Sequence, residues 1–268
     1  MKLTNILSGF VIALLALTVF SSCEDVIDVD LRSVEPELVI EGNVREGEFA
    51  EVVITRTKDF DSPNDYPRIT DAIVTLRDSE GVEETLLPDI NGIYRGTLIR
   101  GTQNRTYFLT VAYDKVEYTS QAFMPPVVEM EPLTLMQLNL LDYPFPQVHF
   151  TDPVGEVNHY YRFLLYINGE RFENKFWMIS AEHIDGSDIH IAIPVFSDDD
   201  DAEDDPILPN DELTVEMQCV DKDVYTFFKT LDDVDNALAN PTTNIRGGAL
   251  GYFSAYSHTR RSIVATWE

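Results

Sequence analysis

Hydrophobic and polar residues alternate along most of this chain. Arg105 to Tyr113 is the clearest case, with Tyr107, Leu109, Val111 and Tyr113 on one side of a period-two pattern, the mark of a half-buried strand. The same reading predicts strands at 38–40, 51–57, 72–76, 83–87, 94–99 and 117–123. Turn residues punctuate them. Gly42-Asn43 loosens the first strand, 58–67 reads as a long loop with two prolines, Asp78-Ser79-Glu80-Gly81 is a turn, and Asn91-Gly92 marks a hairpin because both residues tolerate positive φ. Seven short strands at this spacing predict an immunoglobulin-like or transthyretin-like sandwich over 37–124. Met124-Pro125-Pro126 cannot continue a ladder, so 125–132 is expected to be a proline-rich linker.

A second β-rich, sandwich-like domain is expected over 133–268. Its strands are predicted at 133–141, 147–151, 160–168, 171–180, 189–196 and 211–221, with Asn168-Gly169 as a hairpin turn. From Lys222 the period changes. Val224, Phe227, Phe228, Leu231, Val234 and Leu238 recur at helical spacing, so 222–239 is predicted to be an amphipathic helix, stopped by Asn240-Pro241. Two further strands, 250–256 and 261–267, complete the domain. Gly247-Gly248-Ala249-Leu250-Gly251 lacks the GxGxxG spacing of a dinucleotide loop and follows a helix rather than a strand, so it is read as a turn into the sheet.

The front end departs from both patterns. Lys2 is followed by an apolar run, Ile6 to Phe20, of about 15 residues, shorter than the roughly 20 a spanning helix needs. The small residues Ser21-Ser22 and Cys23 come next, as at the end of a signal peptide. The arrangement resembles the lipobox of bacterial lipoproteins, with Phe20 where Leu is more usual. The resemblance implies removal of 1–22, lipidation of Cys23, and anchorage of the mature protein in the outer membrane. Residues 23–36 then form an acidic tether. Glu24, Asp25, Asp28 and Asp30 resemble a surface-export signal of Bacteroidetes lipoproteins, which makes the cell surface the expected face.

Charge and cysteine content narrow the partners. The chain has 268 residues, 47 acidic against 19 basic, and a net charge of −28. A field of that sign repels nucleic acid and anionic headgroups, so no nucleic-acid partner is expected. With Cys23 lipidated, Cys219 is the other of the two cysteines and makes no internal disulfide. It alternates with Leu213, Val215 and Met217, so a buried inert thiol is expected rather than a nucleophile.

Candidate chemistry is sparse. No Walker loop, HExxH or GxSxG motif occurs in the sequence, and no enzyme activity is expected. The five histidines show no metal-ligand spacing; His183 and His190 are placed to face each other across strands as a polar pair. Asp198, Asp199, Asp200, Asp201, Glu203, Asp204 and Asp205 form the one run whose mutual repulsion a hard cation would relieve. They are a candidate calcium site, with a solvated loop as the alternative. Among the clustered aromatics, Tyr161 and Tyr166 fall off the main apolar face, which makes them candidate ligand or partner contacts.

Several blocks resemble a Bacteroidetes lipoprotein family catalogued as domain of unknown function 4249. They are 23–30, Leu38-Val39-Ile40-Glu41-Gly42, Met124-Pro125-Pro126-Val127, and Phe150-Thr151-Asp152-Pro153 with Tyr160-Tyr161. The most specific is Asn244-Ile245-Arg246-Gly247-Gly248 followed by 251–256. The resemblance implies an outer-membrane lipoprotein associated with a TonB-dependent receptor, and it supplies no catalytic residue. The expected function is therefore an accessory binding or docking protein in nutrient uptake. A structural or adhesive surface protein is the alternative, and a hydrolase with an unrecognised carboxylate site is a weaker one.

Overall fold

The structure is a computed structural model that describes residues 35–58, 66–138, 143–155, 159–196, 206–232 and 239–267. The seven predicted strands of the first half are all present: β1 Leu38–Arg45, β2 Phe49–Arg56, β3 Ile73–Asp78, β4 Glu83–Pro88, β5 Ile93–Arg100, β6 Thr106–Tyr113 and β7 Val116–Phe123. β1 does not loosen at Gly42-Asn43. It runs on to Arg45 because its ladders continue past the glycine, to Asn43↔Glu51 on one side and Arg45↔Tyr256 on the other; a Cβ at Gly42 would stand 2.8 Å from the ring of Phe253, so the glycine makes room for packing and does not break the strand. The alternating residues Tyr107, Leu109 and Val111 of β6 are buried and meet Ile40, Val52, Val74 and Tyr94 in one core.

The second half carries β8 Thr134–Gln137, β9 Pro144–Thr151, β10 Tyr160–Ile167, β11 Glu170–Ser180, β12 Asp188–Ala192, β13 Glu212–Val220, the helix α1 Lys222–Asp232 and β14 Leu250–Val264. The β10–β11 hairpin turns as expected, with both Asn168 (φ 53°) and Gly169 (φ 85°) left-handed. The predicted end of the helix, 233–238, lies outside the described residues. β8, β9 and β12 form a three-stranded sheet. Its side chains, with those of β10 and β13, enclose a second core around Phe145, Phe150, Phe163, Leu165 and Met217. The other face of the β10–β13 sheet is covered by α1, whose Val224, Phe227 and Phe228 pack on Tyr160 and Val220.

β14 corrects the expectation of two separate strands. Residues 250–264 are continuous. The first half pairs in parallel with β1 from Val39↔Leu250 to Arg45↔Tyr256. The second half pairs antiparallel with β13 from Cys219↔Ser257 to Glu212↔Val264. Each half satisfies its ladder on a different neighbour, so one strand joins an eleven-stranded sheet ordered β11-β10-β13-β14-β1-β2-β5-β4-β3-β6-β7. Pro36 to Glu268 is one compact unit. The expected boundary at 125–132 falls between the two cores, while Phe253 and Ala255 of β14 belong to the first. The 125–132 segment is itself packed: Val128 and Met130 are buried in the second core, and Glu129 pairs with Arg261 of β14 at 2.9 Å.

Candidate functional site: a recess beside the β7 edge

β3, β6 and β7 bury one face in the first core and turn the other outward. Register aligns the outward residues in rows. Arg77 stands opposite Phe108, and Phe108 opposite Gln121. The neighbouring row is Thr75, Thr110 and Thr119. Beyond Thr119, at the sheet's edge, Arg246 extends this second row through an antiparallel bridge. Arg246 N donates to Thr119 O at 2.8 Å and Thr119 N to Arg246 O at 3.1 Å. Antiparallel partners share a face, so Arg246 joins the threonines at one end while Arg77 flanks them at the other.

The segment 243–248 is held by its own side chains. Asn244 Nδ2 donates to Phe253 O at 2.8 Å, and Phe253 N donates to Asn244 Oδ1 at 2.9 Å. Thr243 Oγ1 donates to Gly251 O at 2.7 Å and accepts from Ile245 N. Ser120 Oγ donates to Asn244 O at 2.8 Å, and Ile245 is buried in the first core. Gly247 and Gly248 have φ of 107° and 91°; a Cβ at Gly247 would lie 2.7 Å from Glu117 O. Glycine is the residue that fits there. The expected turn into the sheet is what these residues build.

α1 closes the far side. Asp221 caps it, accepting from Val224 N at 2.9 Å, and its other oxygen accepts from Phe123 N at the end of β7. Burial raises the pKa of Asp221 against the pull of those two amides. The cap ties the helix to the sheet edge, and Asp223, Thr226 and Thr242 face Arg77, Phe108 and Gln121 across a cavity of about 460 Å³. The Arg77 guanidinium lies 4.3 Å over the Phe108 ring, a stacking that holds its N–H edge in place. Among the described residues neither Arg77 nor Arg246 has a hydrogen-bonded or ion-paired side-chain partner. Both are exposed, and Asp223 is the acid that lines the cavity with them.

A second polar cluster lies on the helix-side face, where β13, β14 and β1 meet. Glu216, 2% exposed, accepts from Arg260 Nε at 2.6 Å and Gln218 Nε2 at 2.7 Å, with Arg45 Nη2 at 3.5 Å. Burial alone would raise its pKa; the Gln218 and Arg260 hydrogen bonds and the Arg45 charge outweigh it and hold the carboxylate below its ordinary range. Arg45 also lies 2.7 Å from His258 Nε2. Burial and then the Arg45 charge lower the pKa of His258. Arginine is always a donor, so His258 Nε2 is the acceptor and the ring is neutral.

The sequence-predicted positions fall out unevenly. Tyr161 is corrected: it is fully buried, its hydroxyl donating to Asp152 in the second core. Burial, then that carboxylate, raises its pKa. It presents no surface to a ligand, because the side chains at 161, 163 and 165 all face inward. Tyr166 is half-buried under the Arg260 guanidinium, 4.7 Å from its ring centroid, beside the Glu216 cluster. Cys219 faces the core with Leu213, Val215 and Met217 as expected, and burial pushes its thiol up to about 11. The cross-strand partner of His190 is His149, with ring centroids 4.2 Å apart, not His183, because β12 pairs with β9. The acidic run Asp198 to Asp205 and the lipidation site Cys23 lie outside the described residues. Among the described residues no group of three or more His, Cys, Asp or Glu is placed to hold a metal ion, and no helix is long and apolar enough to cross a membrane.

The recess itself was missed by sequence reasoning. Its signal was present in the block Asn244 to Gly248, but Arg77, Phe108 and Gln121 are brought together by register across three strands.

A comparison with curated proteins finds no match to this chain. A protein family described as Domain of unknown function (DUF4249) matches residues 24–262. That span takes in β1 to β13, the helix and all but the last two residues of β14, and the chain therefore belongs to the DUF4249 family.

Proposed function

We propose that this protein is a lipid-anchored binding or docking protein of the cell envelope. Acyl chains on Cys23 hold it in the outer membrane, facing the cell surface, and it serves as an accessory to a TonB-dependent receptor in nutrient uptake. The anchor is supported by the charged start, the short apolar run and the small-small-Cys junction at 21–23. More than one acyl chain gives a stable hold. The binding role is carried by one observation: in a chain of net charge −28, two arginines without an ion-pair partner among the described residues line one recess.

The test is a gentle affinity purification from native membranes through a tag placed after Glu268, with mass spectrometry of what accompanies the protein. A stoichiometric TonB-dependent barrel supports the reading. A preparation holding the lipoprotein alone removes the receptor partnership and favours the adhesive or structural role. Cys23→Ala is expected to leave the precursor unlipidated and displace the protein from the outer-membrane fraction; unchanged fractionation would remove the anchor.

A further inference from the structure

The segment Asn244 to Gly248 divides cleanly between structure and something else. Asn244 substitutes for a strand residue opposite Phe253. Ile245 fills the first core. Gly247 and Gly248 supply left-handed backbone, one of them against Glu117 O. The Arg246 backbone makes the bridge to Thr119, a task any residue but proline performs. Its guanidinium is left without an intramolecular role among the described residues. It is exposed and lines the recess.

The other groups there share one chemistry. Arg77 is held by its stack on Phe108 at 4.3 Å, which occupies a face of the guanidinium and leaves its N–H groups for other partners, and it lines the cavity. Between the two arginines lie Thr110 and Thr119 with Gln121 beside them. Arg77 and Arg246 are three strand spacings and one two-residue row apart, about 16 Å between backbones, and both side chains are long enough to reach one molecule lying between them. Hydroxyls and an amide match a ligand rich in hydroxyl groups, and guanidinium edges match a planar or tetrahedral oxyanion. A volume near 460 Å³ accommodates a few sugar rings.

We propose that this recess binds an acidic saccharide, its carboxylate or sulfate held by Arg77 and Arg246 and its hydroxyls by Thr110, Thr119 and Gln121. The inference rests on reading the recess as the binding surface, and names what that surface takes. No covalent step is involved. The overall charge of −28 works against the approach of such a ligand, so the two arginines act as a local exception in a repelling field. Affinity is therefore expected to change with salt in opposite senses at the two scales: added salt weakens the contact and relieves the long-range repulsion.

Isothermal titration calorimetry on the full-length lipoprotein in detergent micelles tests it with four probes: a galacturonate oligomer, a sulfated chondroitin disaccharide, neutral maltohexaose and inorganic phosphate. The expected result is binding of the galacturonate or the sulfated probe, at least about tenfold tighter than maltohexaose. Arg77→Gln and Arg246→Gln should each weaken it by roughly ten- to a hundredfold, the range for a lost charge-assisted hydrogen bond. Arg261→Gln, whose partner Glu129 lies outside the recess, should leave binding unchanged, and thermal melts should show all three variants folded. Which acidic probe binds identifies the oxyanion. Maltohexaose bound as tightly, and unmoved by the arginine variants, would overturn the oxyanion while leaving the recess as a binding surface. Phosphate bound without any glycan would overturn the saccharide. No binding of any probe would overturn the proposal, and the receptor purification would then still decide the docking reading by itself.

Discussion

Asn244 forms two hydrogen bonds with the backbone of Phe253, donating to its carbonyl at 2.8 Å and accepting from its amide at 2.9 Å. One side chain thus does the work of a neighbouring strand residue. Asn244→Ala would leave both groups of Phe253 without a protein partner and should cost about 1–3 kcal/mol, read as a shift in the denaturant midpoint at constant slope. Asn244→Asp would keep the acceptor and lose the donor, placing a carboxylate against the Phe253 carbonyl. Its destabilisation should grow as pH rises through the carboxylate range, and an Asp variant as stable as wild type at neutral pH would contradict the geometry.

Gly247 holds the chain against β7. With φ at 107° and a Cβ position 2.7 Å from Glu117 O, Gly247→Ala should destabilise the fold by about 1–3 kcal/mol. Because the strain sits next to Arg246, amide exchange of Thr119 and Arg246, which bond each other, should speed up more than that of β1 or β2. Uniform exchange across all strands would argue against a local effect.

Glu216 and His258 tie stability to pH in the same direction. The folded pKa of Glu216 lies below its ordinary 4.5, so the unfolded chain takes up that proton first as pH falls, and the stabilisation present above about 4.5 is lost on acidification. The folded pKa of His258 lies below its ordinary 6.5, so the unfolded state gains protons first below that value too. The melting temperature should fall on acidification below pH 6.5, more steeply below 4.5. His258→Gln should flatten the upper part of that fall. Glu216→Gln should lower stability at pH 7 by about 1–3 kcal/mol, since it removes the charge-assisted hydrogen bond to Arg260 and the ion pair with Arg45 while both part-exposed arginines stay solvated, and should flatten the lower part.

Tyr161 and Cys219 are core residues, and each has a readout that separates this from a surface role. Tyr161→Phe removes the hydrogen bond to Asp152, a carboxylate only 1% exposed, and should cost about 1–3 kcal/mol with no change in ligand or receptor binding. Cys219, its thiol raised to about 11, should not react with an aromatic disulfide reagent at pH 8 in the native protein and should react promptly in denaturant. Rapid native labelling would mean that the β13 face is open.

The strands of the first half were legible in the sequence, most directly as alternation where one face is buried and the other wet, as with Tyr107, Leu109 and Val111 in β6; β4, which buries Leu86 alone, and β5, whose alternation breaks at Thr97-Leu98, were marked by the turns around them. Burial of Cys219 followed from the same rule. The rule failed where a strand is covered on both sides. In β10 and β13 the helix-side residues Arg162, Glu216 and Gln218 are buried as well, so polarity no longer marked the solvent face. Tyr161, taken for the outer face, belongs to the inner one.

Local pattern, then, determined the β class, the helix after Asp221 and the turn at Gly247-Gly248, since each is set by residues a few positions apart. The tertiary structure decided the rest through pairing between distant segments. β14 became one strand because β1 and β13 offer it two successive edges, His190 met His149 because β12 pairs with β9, and Arg77 reached the same recess as Arg246 because three ladders fix a common register. No local signal encodes which of two chemically similar strands will lie alongside; that choice is made by how the two cores exclude water together.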